Sequence, residues 1–523
     1  MRTPLSVGAT HRVAPTPTGV GQRTSARALL VRVSMVVSFI CCAGECAHAG
    51  TNPRYFTGDW VAYTSVRFVH AAAATPDFVY FGTRGGVARY DRHRDCWLPA
   101  LTTAEGLRAN NVRRLAYDQL TDELWASTPL GISVYRPTFR EWQDAVSFPD
   151  SIEQPWQRVD LTGLNIPFGF DVLTPGRLTD SQFRSYEIRG SIDDSWGTKW
   201  VGTWGQFVWT ISPGSFDVTP QEWGLFQNNV EAIFLDSSFV IFGGPNYYDG
   251  GNGLTIYDTT SGNWRYFEAR YIEGFASDNI SRIVGEQGGR YLWLATDRGL
   301  VRMDRRSSSF QTYGHREGLV DERVHALALD GDILWIGTEM GIDGLYVPRD
   351  SIFHASTDAV RNSRIYDIEV RNDVVWLATD RGLMRLAKPT PEWRRYYTDQ
   401  GPLAGRVRAL TSDSRKLYAG SDRGIAIVDL TGREPVEVFE SPSILPDENI
   451  YDLAVTADSI VWAATPSGLL RLVPATHERR VITTDDGLLD MFVQRIVVDG
   501  DYLWLGTLKG ANRFRWNNPY RID

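Results

Sequence analysis

Apolar and polar positions alternate along most of this chain in short runs broken by glycine and aspartate, and one such run recurs. Leu334-Trp335-Ile336-Gly337-Thr338-Glu339-Met340-Gly341 is echoed by Leu292-Trp293-Leu294-Ala295-Thr296-Asp297-Arg298-Gly299 and by Val375-Trp376-Leu377-Ala378-Thr379-Asp380-Arg381-Gly382. Leu417-Tyr418-Ala419-Gly420-Ser421, Val461-Trp462-Ala463-Ala464-Thr465 and Leu503-Trp504-Leu505-Gly506-Thr507 continue the series. The aromatic positions 293, 335, 376, 418, 462 and 504 step by 42, 41, 42, 44 and 42 residues. A fixed period near forty, built from short strands with a central aromatic, is the signature of propeller blades.

One repeat reads as four strands. An alternating run such as Val324–Leu329 ends at Asp330-Gly331-Asp332, and Asp-Gly between two apolar runs predicts a hairpin whose central residues take positive φ. The Trp run is the second strand, and Gly341 turns the chain into a third. The fourth carries aromatics, as in Trp393-Arg394-Arg395-Tyr396-Tyr397. Worn copies precede these, around Tyr80, Trp125, Trp200 and Phe242, making ten in all. The expected fold is therefore all-β: a propeller of about ten four-stranded blades in a single closed ring.

Two places break the period. The step from Trp125 to Trp200 is 75 residues, which implies either an insertion over about 144–180 or a blade worn past recognition; insertion is the preferred reading. The last repeat stops without an aromatic fourth strand, and a matching piece stands at the other end, Asp59-Trp60-Val61-Ala62-Tyr63-Thr64. Pairing that piece with the strand at 512–516 completes the blade and removes an open sheet edge.

The first fifty residues follow another pattern. Five arginines, from Arg2 to Arg32, precede an apolar run over 33–43, and Ala47-His48-Ala49 then presents small residues at a cleavage site. This predicts a secretory signal over 1–49 and a propeller over 50–523, placed in the periplasm or outside the cell. The apolar run is shorter than the roughly 20 residues a membrane span needs. Three of the four cysteines fall in the leader, so the mature chain keeps only Cys96 and no internal disulfide is expected. The full chain carries a net charge of −9; without the leader's five arginines and one glutamate it becomes −13. An acidic chain without a basic face argues against nucleic acid and anionic membranes as partners.

The phrase Leu-Trp-Ile-Gly-Thr-x-x-Gly-Leu, preceded by Gly-Leu and a Val-x-x-Leu strand, resembles the two-component regulator propeller repeat over essentially the whole mature chain. The resemblance implies the propeller fold and a tendency to bind something outside the cytoplasm. Members of that family most often form the periplasmic sensor region of hybrid histidine kinases, as two seven-bladed propellers. Here there are ten repeats and no kinase or response-regulator segment.

Candidate chemistry sits in the turns. Asp297-Arg298, Asp380-Arg381 and Asp422-Arg423 link second to third strands, and the linkers between blades, which supply Arg323 and Asn449 among others, open on the same rim. A ring of paired charges and amides there suits a polar polymer or a protein tail, although Asp and Gly are also what such turns need structurally. The inserted loop 245–252 adds Tyr247 and Tyr248, a pair suited to stacking on sugar rings or docking a protein. Inner strands contribute Arg113, Arg114, Arg282, Arg408, Arg495, Glu231, Asp367 and Asp452 as channel candidates. None of the six histidines of the mature chain sits in a metal-spaced pair, and nucleophile-elbow, phosphate-loop and dinucleotide motifs are absent. No enzyme, cofactor or metal is expected. The expectation is a binding or scaffold module for an extracytoplasmic glycan or protein. The alternatives are a polysaccharide lyase or hydrolase, and a stand-alone sensor domain whose output lies on another chain.

Overall fold

The computed structural model describes residues 58–149, 156–245, 251–355, 359–371, 373–388, 390–396, 403, 405–430, 435–440 and 449–518. The expected leader lies outside them. Ten antiparallel sheets account for the described strands, nine of four strands and one of six; all follow chain order except the last, whose outer strand comes from the N-terminal end.

The repeat motif explains each blade locally. Leu334, Trp335 and Ile336 are buried on the second strand, Ile333–Thr338, which pairs with Val324–Asp330 on one side and Ile342–Tyr346 on the other. The Thr338 hydroxyl donates to the Gly341 carbonyl at 2.9 Å and accepts from the Met340 N–H at 3.2 Å, so Thr-x-x-Gly is a self-clamped turn. The same clamp recurs at Thr296 and Gly299 (2.7 Å), Thr379 and Gly382 (2.6 Å), and Thr507 and Gly510 (2.8 Å). Glycine is required at its end: Gly299 takes φ +115, and a Cβ there would lie 2.4 Å from the Tyr313 carbonyl. The Asp-Gly hairpin differs in detail from expectation. Its two-residue loop is Gly331-Asp332, and only Gly331 takes positive φ, so the turn needs glycine at its first position alone.

The sheets do not form a single ring of ten. Inner strands Ala232–Asp236, Ile280–Gly285, Val324–Asp330, Ile365–Arg371, Val407–Ser412, Asp452–Val455 and Val493–Asp499 pack successively, and the last returns to the first. This is a closed ring of seven. Where the Trp motif carries glycine, that glycine marks a junction, because it faces the apolar residue at the start of the next inner strand; Ala295, Ala378 and Ala464 hold the position in the other ring blades. A Cβ on Gly337 would meet Ile365 at 2.7 Å, and one on Gly420 would meet Ile450 at 2.7 Å. At the closing junction a Cβ on Gly506 would lie 2.4 Å from the Val230 carbonyl.

The remaining three sheets stack as a separate arc, in the order third (strands within 170–221), first (69–101), second (114–145). The same marker gives that order: a Cβ on Gly202 would meet Val69 at 2.7 Å, and one on Gly82 would meet Val112 at 2.9 Å. The segment expected as an insertion forms no sheet of its own. Its strands Phe170–Thr174 and Arg177–Asp180 extend the edge of Ser185–Asp193, and Leu161 is buried against Leu178 and Trp209.

The closing strand is where sequence expected it. Trp60–Tyr63 pairs antiparallel with Gly510–Arg515, Trp60 opposite Phe514, with the rings stacked at 4.1 Å. It closes the seven-blade ring, not a ring of ten. The chain then leaves for the arc and returns beside its own exit, where Ser65 bridges Gly224 and the Leu225 N–H donates to the Thr64 carbonyl at 3.0 Å. Tyr63 sits at the ring's closing junction, packing 5.2 Å from Trp504 of the last blade and 5.8 Å from Tyr257 of the first. The repeat period counts blades but carries no information on which blade faces which, and this is why arc and ring were not separated in sequence.

Candidate functional site

Every inner strand of the ring, at or just before its start, sends a side chain to a shared cavity of about 200 Å³ at the channel mouth. Going round, these are Glu231, Ser281, His325, Tyr366, Arg408, Tyr451 and Gln494, each following the buried Val or Ile at a strand's start. A backbone irregularity aims them. The register shifts between Ile280 and Arg282, Val324 and Ala326, Ile365 and Asp367, Val407 and Ala409, and Val493 and Arg495, leaving the intervening residue on a bulge. A bulge turns an extra side chain out of the ladder and so into the channel.

The layer behind is held by charge. Arg282 binds Asp367 and lies 3.9 Å from Asp452, while Arg495 donates to Asp452 at 3.3 Å. Asp367 also accepts the Leu410 N–H at 2.9 Å, and Asp452 the Ile496 N–H at 2.8 Å, so both carboxylates staple neighbouring inner strands. Burial pushes the Asp452 carboxyl up to about 7, with Arg282 opposing. Burial likewise pushes Glu231 up to about 7 against the pull of Arg282 and Arg364.

At the mouth itself, His325 shares Glu339 at 2.9 Å with Arg364 at 3.1 Å. Burial holds the imidazole below its usual range although the Glu339 contact opposes this, so it is neutral near pH 7. Arg408 differs from the other arginines. Its guanidinium lies 5.5 Å from the Tyr366 ring and 5.6 Å from the Tyr451 ring, its Nε is buried without a hydrogen-bond partner, and no carboxylate among the described residues pairs with it.

The residues expected at the rim lie outside this cavity lining. Asp297 accepts from Ser277 and, at 2.8 Å, from Asn279, which confirms that turns and linkers share one rim. Arg298, Asp380 and Arg423 are exposed, and Asp422 and Asn449 are half-buried. Arg381 donates to the Asn362 carbonyl at 3.3 Å, and Arg323 lies 3.6 Å from Asp321. Glu339, the residue at the Asp297 position of its own repeat, is the turn residue that reaches the channel group. Tyr247 and Tyr248 lie outside the described residues. Of the inner-strand candidates, Glu231, Arg282, Arg408 and Arg495 line the cavity, Asp367 and Asp452 stand behind it, and Arg113 and Arg114 belong to the arc. Ser281, His325, Tyr366, Tyr451 and Gln494 were missed; their signal is the position after the Val or Ile at the start of each inner strand.

A larger cavity, about 330 Å³, lies between the first two ring blades at their hairpin turns. Its arginines are largely engaged: Arg305 with Asp236, and Arg290 with Asp304 at 2.6 Å. The channel mouth, with its unmatched cation, is the stronger candidate. Among the described residues, no group of three or more His, Cys, Asp or Glu could hold a metal, and no helix is long and apolar enough to cross a membrane.

No protein-family model matches the chain, and a search of curated proteins gives no match. The structural neighbours include the extracellular domain of a hybrid two-component system, BT4673 of B. thetaiotaomicron, at TM-score 0.48 and 15% identity, over 87% of this chain and 71% of that one. PorZ, a surface component of the type-IX secretion system of Porphyromonas gingivalis, has TM-score 0.49 and 16% identity, over 86% and 68%. Virginiamycin B lyase of Staphylococcus aureus has TM-score 0.44 and 13% identity, over 55% of this chain and 94% of its own. At such identities the likeness is one of fold alone.

Proposed function

We propose that this chain is an exported propeller module that binds the terminal residue of an extracytoplasmic glycan at the mouth of its seven-blade channel. The observation that carries this reading is Arg408, an arginine set between Tyr366 and Tyr451 in a shared polar cavity, with which no carboxylate among the described residues pairs. Arg408 is half-buried and its enclosed Nε lacks a partner, which is costly unless something completes it, and a hydroxyl-rich or carboxylated group does so. The two tyrosines offer flat apolar area with polar tips, the surface a sugar ring packs on. Glu231, Ser281 and Gln494 add hydrogen-bonding groups from the opposite wall. The cavity lies below the roughly 300–1,000 Å³ of a drug-sized pocket, so it suits one terminal residue and not a threaded polymer. The extracytoplasmic setting rests on the leader pattern in the sequence.

Screening the purified protein and its Arg408→Ala variant on a glycan array tests the reading. Hits that the variant loses are the expected result. An array without hits, or hits that survive the substitution, would overturn it.

One arrangement favours a second reading, that the same pocket does acid–base chemistry. Burial keeps His325 neutral while Glu339 orients it, and Glu231 is poised near neutrality, which supplies a base and an acid. Shorter products from an array hit incubated with wild type, but not with Glu231→Gln, would favour the enzyme over the binding module.

A further inference from the structure

One junction of the ring lacks the wedge that fills the others. Trp293, Trp335, Trp376, Tyr418, Trp462 and Trp504 hold the same place on the second strands of their blades, and each is buried against the next blade. In the first ring blade a Cβ on Gly243 would meet Ile280 as one on Gly337 would meet Ile365, so Ile241 stands at the wedge position. Phe242, the aromatic of that copy, is one residue further on and faces the other way, toward Tyr63 and Trp504. Aromatic residues hold the position in the arc as well, as Tyr80, Trp125 and Trp200.

The cavity of about 330 Å³ between the first two ring blades opens at that place. Ile241 and Ile256, opposite each other on paired strands, form one wall, and Met303 of the second blade forms the other; all three are buried. At the following junction Trp293 shares a buried cluster with Leu345, the counterpart of Met303, and fills the equivalent space. Phe239 borders the mouth, with the Arg265 and Arg305 guanidiniums 6.0 and 5.9 Å from its ring. Arg305 is bound to Asp236, and Arg290 to Asp304 at 2.6 Å, so those two charges are answered. Arg265 and Arg306 also line the cavity, and no carboxylate among the described residues forms an ion pair with either, although Asp258 feels Arg265 at longer range.

We propose that this cavity is a binding site, separate from the channel, for a small aromatic acid, with one or two fused rings in the place of the missing wedge and a carboxylate at the mouth. The inner walls are aliphatic, so they gain from an apolar ring and offer few hydrogen bonds to a sugar. The volume stands at the lower end of the range for small-molecule pockets, and the group that fills the matching space at the other junctions is itself an indole or phenol ring. Two arginines left over at the mouth favour an acid over a neutral or basic ring.

The test is calorimetric titration of the full protein with indole-3-acetate, and with indole and acetate as its separate halves. Indole-3-acetate should bind saturably and about tenfold more tightly than indole, the worth of one charge-assisted hydrogen bond, while acetate alone should give no signal. Ile241→Trp restores the wedge and should abolish binding at a melting temperature no lower than that of the wild type. Should that variant fail to fold, Ile256→Phe fills the same wall and serves in its place. Arg265→Gln with Arg306→Gln should erase the preference for indole-3-acetate over indole with an unchanged melting curve, since both residues are exposed. No saturable binding of indole-3-acetate, equal affinity for indole, binding that survives the filled cavity, or an unaffected double variant would each overturn the proposal. Arg408→Ala should leave the binding intact; its loss there would also overturn the proposal and would move the ligand to the channel.

Discussion

The backbone N–H of Val230 donates to the carbonyl of Thr507 at 2.9 Å, joining the entry to the first ring blade with the Trp-bearing strand of the last. The equivalent bond within the arc runs from Val112 to Thr83 at 2.8 Å, so the closing contact has the geometry of an ordinary junction between consecutive blades. Next to it, Gln494 donates to Asn229 at 2.6 Å. Seven blades therefore close without strain, and the arc is carried outside that circle.

Gly506 permits this approach. Gly506→Val places a side chain against the Val230 backbone, which cannot rotate away, and should destabilise the protein by about 1–3 kcal/mol, the usual cost of overpacking. Urea unfolding of the variant with an unchanged midpoint would contradict the assigned junction.

The Trp of each motif is a wedge between blades and not a ligand platform. Trp376 is 3% exposed and packs edge-on against Tyr396. Trp376→Ala should cost about 3–5 kcal/mol, read from denaturant unfolding. Trp125 is the informative contrast: it faces the open end of the arc, is only half-buried, and meets Phe148 at 6.3 Å in place of another blade. Trp125→Ala should cost markedly less.

Blade number and blade construction were legible because they are local: the Thr-x-x-Gly clamp, the aromatic second strand and the Asp-Gly hairpin each span a few residues. The closing strand was legible too, since Trp60 supplies an aromatic that the last repeat lacks. Ring order was not, because it depends on contacts such as Val69 with Gly202, between residues far apart in sequence. The interrupted period before Trp200 coincides with the place where the arc opens. The site was half legible. Arg408 and Glu231 stood out as charges on apolar strands, but the bulges that turn Tyr366 and Gln494 inward leave no mark in composition.

Channel carboxyls give the stability a pH dependence of definite sign. Glu231 and Asp452 each titrate near 7 in the folded protein, above their unfolded values near 4. The folded state holds these protons more tightly, so stability is full below the unfolded pKa and falls as pH rises through about 7. Melting temperatures between pH 5 and 8 should show this decline, and Glu231→Gln should make it shallower. An identical slope in the variant would show that Glu231 is not the buried acid described.

Where a ligand protects the backbone tests the central claim most directly. Hydrogen exchange of the full protein, with and without a glycan found on the array, should show added protection in peptides covering Ser281, His325, Tyr366, Arg408 and Tyr451 together. Those residues share only the channel mouth. Protection confined to the outer blade edges, or to the arc peptides around His70 and Arg113, would contradict it.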